Sequence, residues 1–232
     1  MIDTTFDVRA DAGGRDPDSY SPTLRRYHQR LWSKPLPSGA LFTLTDQRRH
    51  AYLHHHSELG EFFLASDTVV PTLTNRRLGA WGGEIPEAET RAFLRVVYTI
   101  GGMMVFPGNR IGGKQTLNGA RGFNGRIADR MDLTLECIRR HYLQEASPLD
   151  EVLHRYGDFF ALFGDFRGYV EFFLLQDMVT ANLDEVSFFI PFDDFTTPAL
   201  PQDLLTYHEY RRRSIAFVEA RNRRIAAWDA AH

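Results

Sequence analysis

Residues 103–125 read MMVFPGNRIGGKQTLNGARGFNG. The first four are wholly apolar and predict a short buried strand. The next nineteen contain six glycines, which predict turns rather than a long regular element. Because this stretch stands between a β-rich first half and a helical second half, it decides how the two halves of the chain meet.

The first half has the pattern of an antiparallel sheet. Three segments have strand length and composition, with polar or glycine positions between them. They cover residues 40–44, 50–55 and 61–65. A helix is predicted from Pro22, because Ser21 is a good capping residue and proline suits the first helical turn. A second helix is predicted over residues 86–98.

The second half is mainly helical. Apolar residues recur at helical spacing in four segments, which cover residues 126–143, 147–163, 165–177 and 203–228. A further strand is predicted over residues 186–190. The sequence therefore predicts an α+β fold in which an antiparallel sheet from the N-terminal half packs against a mainly helical C-terminal half. We expect one domain over residues 21–232, preceded by an extended or mobile arm over residues 1–20, which hold five aspartates.

Composition excludes several classes of protein. The single cysteine, Cys137, excludes an intrachain disulfide and a cysteine-based zinc cluster. The most apolar stretch, residues 159–175, is interrupted by Asp165, Arg167 and Glu171, which argues against a membrane span. The N-terminal residues lack the basic and apolar regions of a secretory signal. A cytoplasmic protein without a membrane contact is the expectation.

Charge is unevenly distributed along the chain. Residues 109–130 contain five basic residues and one acid, whereas residues 147–195 contain ten acids and two arginines. The basic segment can neutralise the acidic half inside the fold, or it can bind an anionic partner. Only Lys34 and Lys114 of the 27 basic residues are lysines. Genome composition explains such a bias; the alternative is that these are two positions where a compact ammonium is favoured over a guanidinium.

The basic segment is predicted to form a hairpin with an anion site. Gly112-Gly113 suits a two-residue turn between residues 109–111 and 114–117. Cations that converge on one side of such a hairpin bind phosphate or carboxylate, together with exposed backbone amides. The candidate ligand-binding residues are Asn109, Arg110, Lys114, Asn118 and Arg121. The alternative is a solvated hairpin whose arginines pair with the acidic half.

A phosphate-binding P-loop is a weaker interpretation of the same residues. Gly108, Gly113 and Lys114 have its spacing and follow an apolar strand. However, Gln115 occupies the position of the magnesium-binding Ser or Thr, and several glycines argue against an immediate helix. The spacing alone therefore does not indicate a P-loop.

A histidine cluster is the candidate for catalysis. On a strand His54 and His56 share a face, and either is a candidate general base if the fold brings it near Arg110. With His50 and with Glu58 or Asp67 the cluster also has ligand types for a metal. Histidines on an edge strand without any site are the more common case, so no metal is assigned.

Several motifs resemble a bacterial family of unknown function. They are GGMMVFPGNRI at residues 101–111, DRMDLTLECIRRHY at 129–142, LWSKPLP at 31–37, FGDFRGY at 163–169 and YRRRSI at 210–215. The resemblance covers most of the chain. It implies a compact bacterial protein and brings no activity or catalytic residue with it.

Two functions remain open from the sequence. The first is binding of a phosphorylated ligand, a nucleotide or RNA, at the basic hairpin, with phosphoester or nucleotide chemistry if the protein is an enzyme. The second is a protein-interaction or regulatory module whose basic loop docks an acidic partner. The sequence names no cofactor and leaves the oligomeric state open.

Overall fold

The computed structural model describes residues 1–47, 52–71, 73 and 75–232. Its strands are β1 (Lys34–Pro35), β2 (Leu41–Phe42), β3 (Thr45–Gln47), β4 (Tyr52–Ser57), β5 (Gly60–Thr68) and β6 (Met103–Pro107). The short β1 and β2 pair with each other, and the other four strands form one antiparallel sheet in the order β3, β4, β5, β6.

Ten α-helices lie in the described part of the chain. They are α1 (Pro17–Tyr20), α2 (Pro22–Trp32), α3 (Asn75–Leu78), α4 (Glu87–Val97), α5 (Leu117–Phe123), α6 (Met131–Leu143), α7 (Asp150–Arg155), α8 (Gly157–Ala161), α9 (Phe166–Phe172) and α10 (Leu204–Ala231). The antiparallel sheet comes from the N-terminal half and most helices from the C-terminal half. The predicted α+β fold is confirmed.

The predicted strands are present with shifted ends. The segment predicted at 40–44 contributes only the two residues of β2, and β3 begins after it at Thr45, whereas the segment at 61–65 extends to become β5. Of the strand predicted at 50–55, residues 50 and 51 lie outside the described residues. The strand predicted at 186–190 is reduced to a single bridge between Val179 and Val186.

The chain caps several helices where the sequence predicts it. Ser21 accepts a hydrogen bond from the Leu24 amide at 3.1 Å and starts α2. Asp203 accepts one from the Thr206 amide at 2.8 Å and starts α10. Side-chain acceptors of this kind satisfy the free amides of a first helical turn. Both predicted starts are confirmed.

Other helix boundaries differ from the prediction for backbone reasons. α6 begins at Met131 and not at residue 126, because Ala128 and Asp129 have positive φ angles of 48° and 69°. The helix predicted at 147–163 divides into α7 and α8 at Tyr156, whose ψ of 24° leaves the helical region. The helix predicted at 165–177 ends at Phe172.

The first twenty residues pack against the domain instead of forming an extended arm. Ile2, Val8 and Ala12 are buried. The Val8 amide donates to the Tyr98 carbonyl at 3.0 Å, and the Ile2 amide donates to the Asp229 carboxylate at 2.6 Å. Burial of these apolar side chains offsets the entropy of ordering an otherwise polar segment.

β6 is an edge strand that the fold covers. All five of its residues are buried, and α5 packs against it. Covering an edge in this way removes a row of free backbone groups from solvent. The wholly apolar sequence of this strand follows from its burial on both faces.

Aromatic residues fill the middle of one continuous core. The rings that the sequence places at helical spacing are all buried: Tyr156, Phe159, Phe160, Phe163, Phe166, Tyr169, Phe172 and Phe173. Their assignment to the core, and not to ligand stacking, is confirmed. Within the described ranges no helix has both the length and the apolar content needed to cross a membrane.

Candidate functional site

The glycine-rich segment after β6 forms a turn and a helix, and not the predicted hairpin. Ile111–Gly113 make one turn of 3-10 helix, in which Gly112 and Gly113 have φ angles of +60° and +72°. Thr116 then caps α5, its hydroxyl accepting a hydrogen bond from the Gly119 amide at 3.2 Å. Glycine adopts positive φ without strain, so the chain turns here into a helix. The hairpin prediction is wrong.

Burial explains why α5 forms despite its glycines. Leu117 and Arg121 are four residues apart, so they share one face of the helix, and both are completely buried. A glycine inside a helix costs about 1 kcal/mol relative to alanine. Burying a leucine side chain contributes about 2 kcal/mol. Because α5 contains two glycines, Gly119 and Gly122, burial of Leu117 about offsets their cost, and the buried contacts of Arg121 add to it.

The exposed cations of this segment do not converge. Lys114 pairs with Glu151 of α7, with 2.7 Å between Nζ and Oε1. Arg110 is exposed, and the Asn109 carbonyl accepts a hydrogen bond from the Tyr156 hydroxyl at 2.6 Å. The prediction that these side chains and Arg121 share one anion-binding hollow is wrong, because Arg121 lies in the interior.

Arg121 is held by carboxylates, a hydroxyl and backbone carbonyls. Its Nη1 lies 2.6 Å from Asp67 Oδ2 and 3.1 Å from Asp129 Oδ1. Its Nε donates to Thr134 Oγ1 at 3.1 Å, and Nη2 donates to the carbonyls of Asp129 and Thr68 at 2.8 and 3.3 Å. The guanidinium thus uses its donors inside the protein and has none left for a phosphate.

A third carboxylate, Asp18 of α1, lies in the field of the same group. Burial raises the pKa of Asp18 to about 6, against a lowering by the Ser66 hydroxyl and by Arg121. Ser66 also contacts His28 Nε2 at 3.0 Å and, through its carbonyl, accepts a hydrogen bond from Asn118 Nδ2 at 3.3 Å. α1, β5, α5 and the loop before α6 therefore bring together a set that we call the Arg121 cluster: Asp18, Asp67, Asn118, Arg121 and Asp129.

Asp67 is the most perturbed carboxyl of the Arg121 cluster. Burial raises its pKa to about 7, and the positive charge of Arg121 opposes that shift. The negative charges of Asp129 and Asp18 raise the pKa further. One guanidinium cannot neutralise three carboxylates, so the cluster retains protons near neutral pH. Strongly perturbed carboxyls of this kind are concentrated at functional sites.

Three acceptor oxygens of the cluster are buried and accept no hydrogen bond from any residue of the described ranges: Oδ1 of Asp18, of Asn118 and of Asp129. The Asp129 oxygen has an ion pair with Arg121 at 3.1 Å, which leaves those of Asp18 and Asn118 unmatched. A buried acceptor without a donor costs about 1–3 kcal/mol. Asn118 donates a hydrogen bond to the Ser66 carbonyl, and the negative charge of Asp18 raises the pKa of Asp67. The arrangement is suited to a ligand that donates hydrogen bonds.

The loop that carries Asp129 has a strained backbone. Ala128 and Asp129 both have positive φ, which side chains other than glycine rarely adopt. Arg77 Nη2 donates to the Ala128 carbonyl at 2.9 Å, and the Asp129 amide donates to the Arg121 carbonyl at 3.0 Å. Strain of this kind costs about 1–3 kcal/mol per residue and is concentrated at binding and catalytic sites.

A largely apolar cavity of about 370 Å³ adjoins the cluster. Its apolar wall includes Phe93 and Val97 of α4. Thr68 lines it and follows Asp67 in β5, and Tyr98 lines it as well. Burial raises the pKa of Tyr98, and the nearby negative charge of Asp18 raises it further. The lining of the cavity includes none of the five cluster residues. The link between the two is Thr68, whose carbonyl accepts a hydrogen bond from Arg121 Nη2 at 3.3 Å.

The histidine candidates lie elsewhere on the sheet. His54 and His56 share a face as predicted, with their ring centroids 6.4 Å apart. His54 Nε2 contacts Glu61 Oε1 at 2.9 Å. No contact joins either ring to Arg110 within the described ranges, so a role as general base stays a prediction. His50 lies outside the described residues.

Asp67 pairs with Arg121 and does not complete a histidine metal site. Over the parts of the chain that the structure describes, no three His, Cys, Asp or Glu side chains form a group able to hold a metal ion. Cys137 is buried in α6, and burial raises the pKa of its thiol to about 12, which leaves it protonated and unreactive.

Sequence reasoning found Arg121 but missed its carboxylate partners. Asp18 falls in the predicted arm, and Asp129 falls in a helix that starts later than predicted. The available signal was Asp67, a charged residue two positions before the apolar pair Val69-Val70. A carboxylate beside a buried strand needs a cation, and Arg121 supplies it.

Comparison with known proteins gives one match. A family model with the description "Family of unknown function" (DUF6994) matches residues 2–225. The predicted resemblance to an uncharacterised family over most of the chain is confirmed. No curated protein and no solved structure matches the chain.

Proposed function

Because the chain belongs to this family of unknown function, we propose from its own geometry that it binds a small molecule with a cationic head and an apolar body. The head would lie at the Arg121 cluster, where it donates hydrogen bonds. The body would lie in the adjoining cavity lined by Phe93 and Val97. Pockets of this kind, apolar with a few convergent polar groups, are the usual form of a ligand site.

One observation carries this proposal: the cluster has more buried acceptors than donors. Asp18, Asp67 and Asp129 face a single guanidinium, and the Oδ1 atoms of Asp18 and Asn118 are unmatched within the described ranges. An ammonium or amidinium group supplies both the positive charge and the donors. A phosphate supplies neither, so the geometry favours a ligand of the opposite sign to the one that the sequence predicts.

The Asp67 carboxyl gives the site a proton-transfer group. With a pKa raised to about 7 by burial, it exists in both forms near neutral pH. A carboxyl in this state can donate a proton to a bound molecule or accept one from it. If the ligand is a substrate, Asp67 is the acid–base residue that we assign, with Asp18 as the second carboxyl.

The structure offers less support for the two functions predicted from the sequence than for a ligand at the Arg121 cluster. Arg110 and Arg126 remain exposed in the basic segment, and the exposed Phe123 lies between them along the chain. These residues present a surface on which an acidic protein or a phosphorylated ligand would dock. Phe123 lines an open cavity of about 300 Å³ whose wall also holds the acidic Glu151, which disfavours an anion there, so the Arg121 cluster is the stronger candidate.

Thermal stability with three matched probes tests the proposal. Benzylammonium, benzyl alcohol and benzoate share one apolar ring and differ in the charge of the head. We expect benzylammonium to raise the unfolding temperature, benzyl alcohol to do so weakly, and benzoate to have no effect. Because Asp67 is deprotonated in about one molecule in ten at pH 6 and in most at pH 8, apparent affinity should rise about tenfold between these values.

Two variants control this experiment. Asp67→Asn should remove the pH dependence and most of the benzylammonium effect. Glu209→Gln, which changes an exposed carboxylate on α10 that pairs with Arg212, should leave both unchanged. Stabilisation by benzoate, or by nucleotides in a way that Arg110→Ala/Lys114→Ala abolishes, would contradict the proposal and support the hypothesis from the sequence.

A further inference from the structure

Lys34 lies in a second cavity, on the side of the fold formed by β1, α9 and α10. The cavity measures about 310 Å³, and Lys34, Pro37, Glu171, Phe172 and Trp228 are among its lining residues. Its size falls at the lower end of the range for small-molecule pockets. None of the residues of the Arg121 cluster lines it, so it is a separate feature of the molecule.

Three aromatic rings surround the Lys34 amine. Nζ lies 4.7 Å from the ring centroid of Phe172, 5.3 Å from that of Trp32 and 5.4 Å from that of Trp228. No carboxylate within the described ranges forms an ion pair with it. A lysine usually keeps its ammonium in water or beside an acid. Here the amine is placed against apolar ring faces at the wall of an open cavity.

Two influences act on the charge of this amine. The ring faces attract its protonated form, whereas burial and then the positive charge of Arg221 lower the pKa of Lys34 to about 8. With that pKa about one molecule in ten carries a free lone pair at neutral pH, against about one in a few thousand for an ordinary lysine. Free amines of this kind are the nucleophiles of imine-forming sites.

The rarity of lysine in this chain agrees with a requirement for an amine. Only Lys34 and Lys114 interrupt the use of arginine among the 27 basic residues. A guanidinium would make the same contacts with the rings, and does so readily in proteins. It cannot lose its proton and act as a nucleophile. An amine is therefore the property that lysine adds at position 34.

We infer that Lys34 forms an imine with a small aldehyde or ketone that enters this cavity. The Nζ lone pair forms a bond to the carbonyl carbon while the carbonyl π electrons move to oxygen. Loss of that oxygen with the two amine hydrogens as water leaves the C=N bond. Glu171, which lines the same cavity, is the carboxylate placed to transfer these protons. The apolar rings favour a carbonyl compound with an aromatic or aliphatic body.

Reductive trapping tests this inference with an internal comparison. The protein is incubated with benzaldehyde and cyanoborohydride, which reduces an imine to a stable secondary amine, and peptides are quantified by mass spectrometry. Lys114 is the natural control, since it is exposed and salt-bridged to Glu151. In the Glu151→Gln variant Lys114 becomes an unpaired surface lysine, which makes the comparison stricter.

We expect Lys34 to be modified at least about tenfold faster than Lys114 at neutral pH, because burial and Arg221 lower the pKa of Lys34 to about 8 and leave about one of its amines in ten free at that pH. The rate at Lys34 should rise with a midpoint near pH 8 and fall at still higher pH, because cyanoborohydride reduces only the protonated imine. Glu171→Gln should slow it without changing that midpoint. Lys34→Arg should abolish the modification in a protein whose circular dichroism is unchanged.

Equal or slower modification of Lys34 across this pH range would overturn the inference. The same holds if Trp228→Leu, which opens the ring enclosure, leaves the rate and its midpoint unchanged. Either result would assign Lys34 to a purely structural contact with the rings. The outcome is independent of Asp67→Asn, which lies in the other cavity's cluster, so failure here does not decide the proposed function.

Discussion

Arg121 and Arg221 are both completely buried, and their surroundings differ in kind. Arg121 faces carboxylates, with Asp67 and Asp129 within ion-pair distance. Arg221 forms no ion pair within the described ranges and donates to the carbonyls of Gly101, Met103 and Phe173 at 3.0, 2.7 and 2.9 Å. Arg121 belongs to a cluster with more negative than positive groups, whereas Arg221 donates hydrogen bonds to backbone carbonyls.

The difference separates a structural use of arginine from the functional use that we propose. The Arg221 contacts join α10 to the start of β6 and to the end of α9, and its Nε is buried without a hydrogen-bond partner within the described ranges. Burial lowers the pKa of Arg221 to about 10, so it stays charged at neutral pH. Around Arg121 acceptors exceed donors, and in our proposal protons and a ligand complete the balance.

The largest effect is expected from Arg121→Met. Removing the cation leaves Asp67 and Asp129 buried without a partner, which costs about 3–5 kcal/mol of unfolding free energy. The loss should be greater at pH 8 than at pH 5, because protonation of the carboxyls at lower pH relieves it. Urea unfolding at both pH values measures this. An equal loss at the two values would show that the carboxylates are not the affected groups.

Arg221→Met should lower the free energy of unfolding by about 3 kcal/mol, somewhat less than Arg121→Met does. Three buried carbonyls lose their donor, and each unmatched acceptor costs about 1–3 kcal/mol, offset in part by the apolar replacement. No carboxylate loses an ion-pair partner, so the loss should change less between pH 5 and pH 8 than that of Arg121→Met, the remaining change coming from His28 and Lys34, whose pKa values Arg221 lowers. A pH dependence as large as that of Arg121→Met would remove the distinction between the two arginines.

Asp67→Asn should change the pH profile of stability. Because burial raises the pKa of Asp67 in the folded state from 3.8 to about 7, the folded protein binds the proton more tightly than the unfolded chain. Its contribution is fully present below about pH 4 and is lost as pH rises to about 7, by up to 1.4 kcal/mol per pH unit. The variant should gain stability relative to wild type over that interval. Parallel profiles would contradict the raised pKa.

The smallest effects on stability are expected from the side chains that each arginine contacts besides its main partners. Thr134→Val removes the hydroxyl that accepts from Arg121 Nε at 3.1 Å and should cost about 1 kcal/mol. Met104→Leu removes the sulfur that lies 3.7 Å from Arg221 Nη2, a weak acceptor, and should cost under about 0.5 kcal/mol. Chemical unfolding of the two variants compares them directly, and a reversed order would contradict these assignments.

Much of the fold was predictable because its signals are local. Ser21 and Asp203 cap helices through side chains three residues from their partners. The wholly apolar composition of the run that becomes β6 predicts that this strand is buried. The region of α5 was not predictable in the same way, because its glycines indicate turns while its helix depends on burial of Leu117 and Arg121 against other elements.

The candidate site was only partly predictable. Arg121 stands in the segment that the sequence singles out, but its charge partners come from residues 54 positions earlier and 8 positions later. Asp18 comes from a stretch whose composition indicates an arm. Net basic charge in one segment therefore indicated an anion ligand, whereas the folded surroundings of Arg121 are acidic. Contacts between residues far apart in the sequence therefore determine the charge around Arg121.

Titration of the aspartate carboxyl carbons by NMR tests the central claim most directly. We predict one carboxyl resonance with a midpoint near the pKa of about 7 for Asp67, absent in Asp67→Asn and shifted to lower pH by benzylammonium. The ligand should shift it because a bound cation favours the ionised carboxylate. The account is contradicted if every aspartate carboxyl titrates below about pH 5, or if benzylammonium leaves the midpoint unchanged.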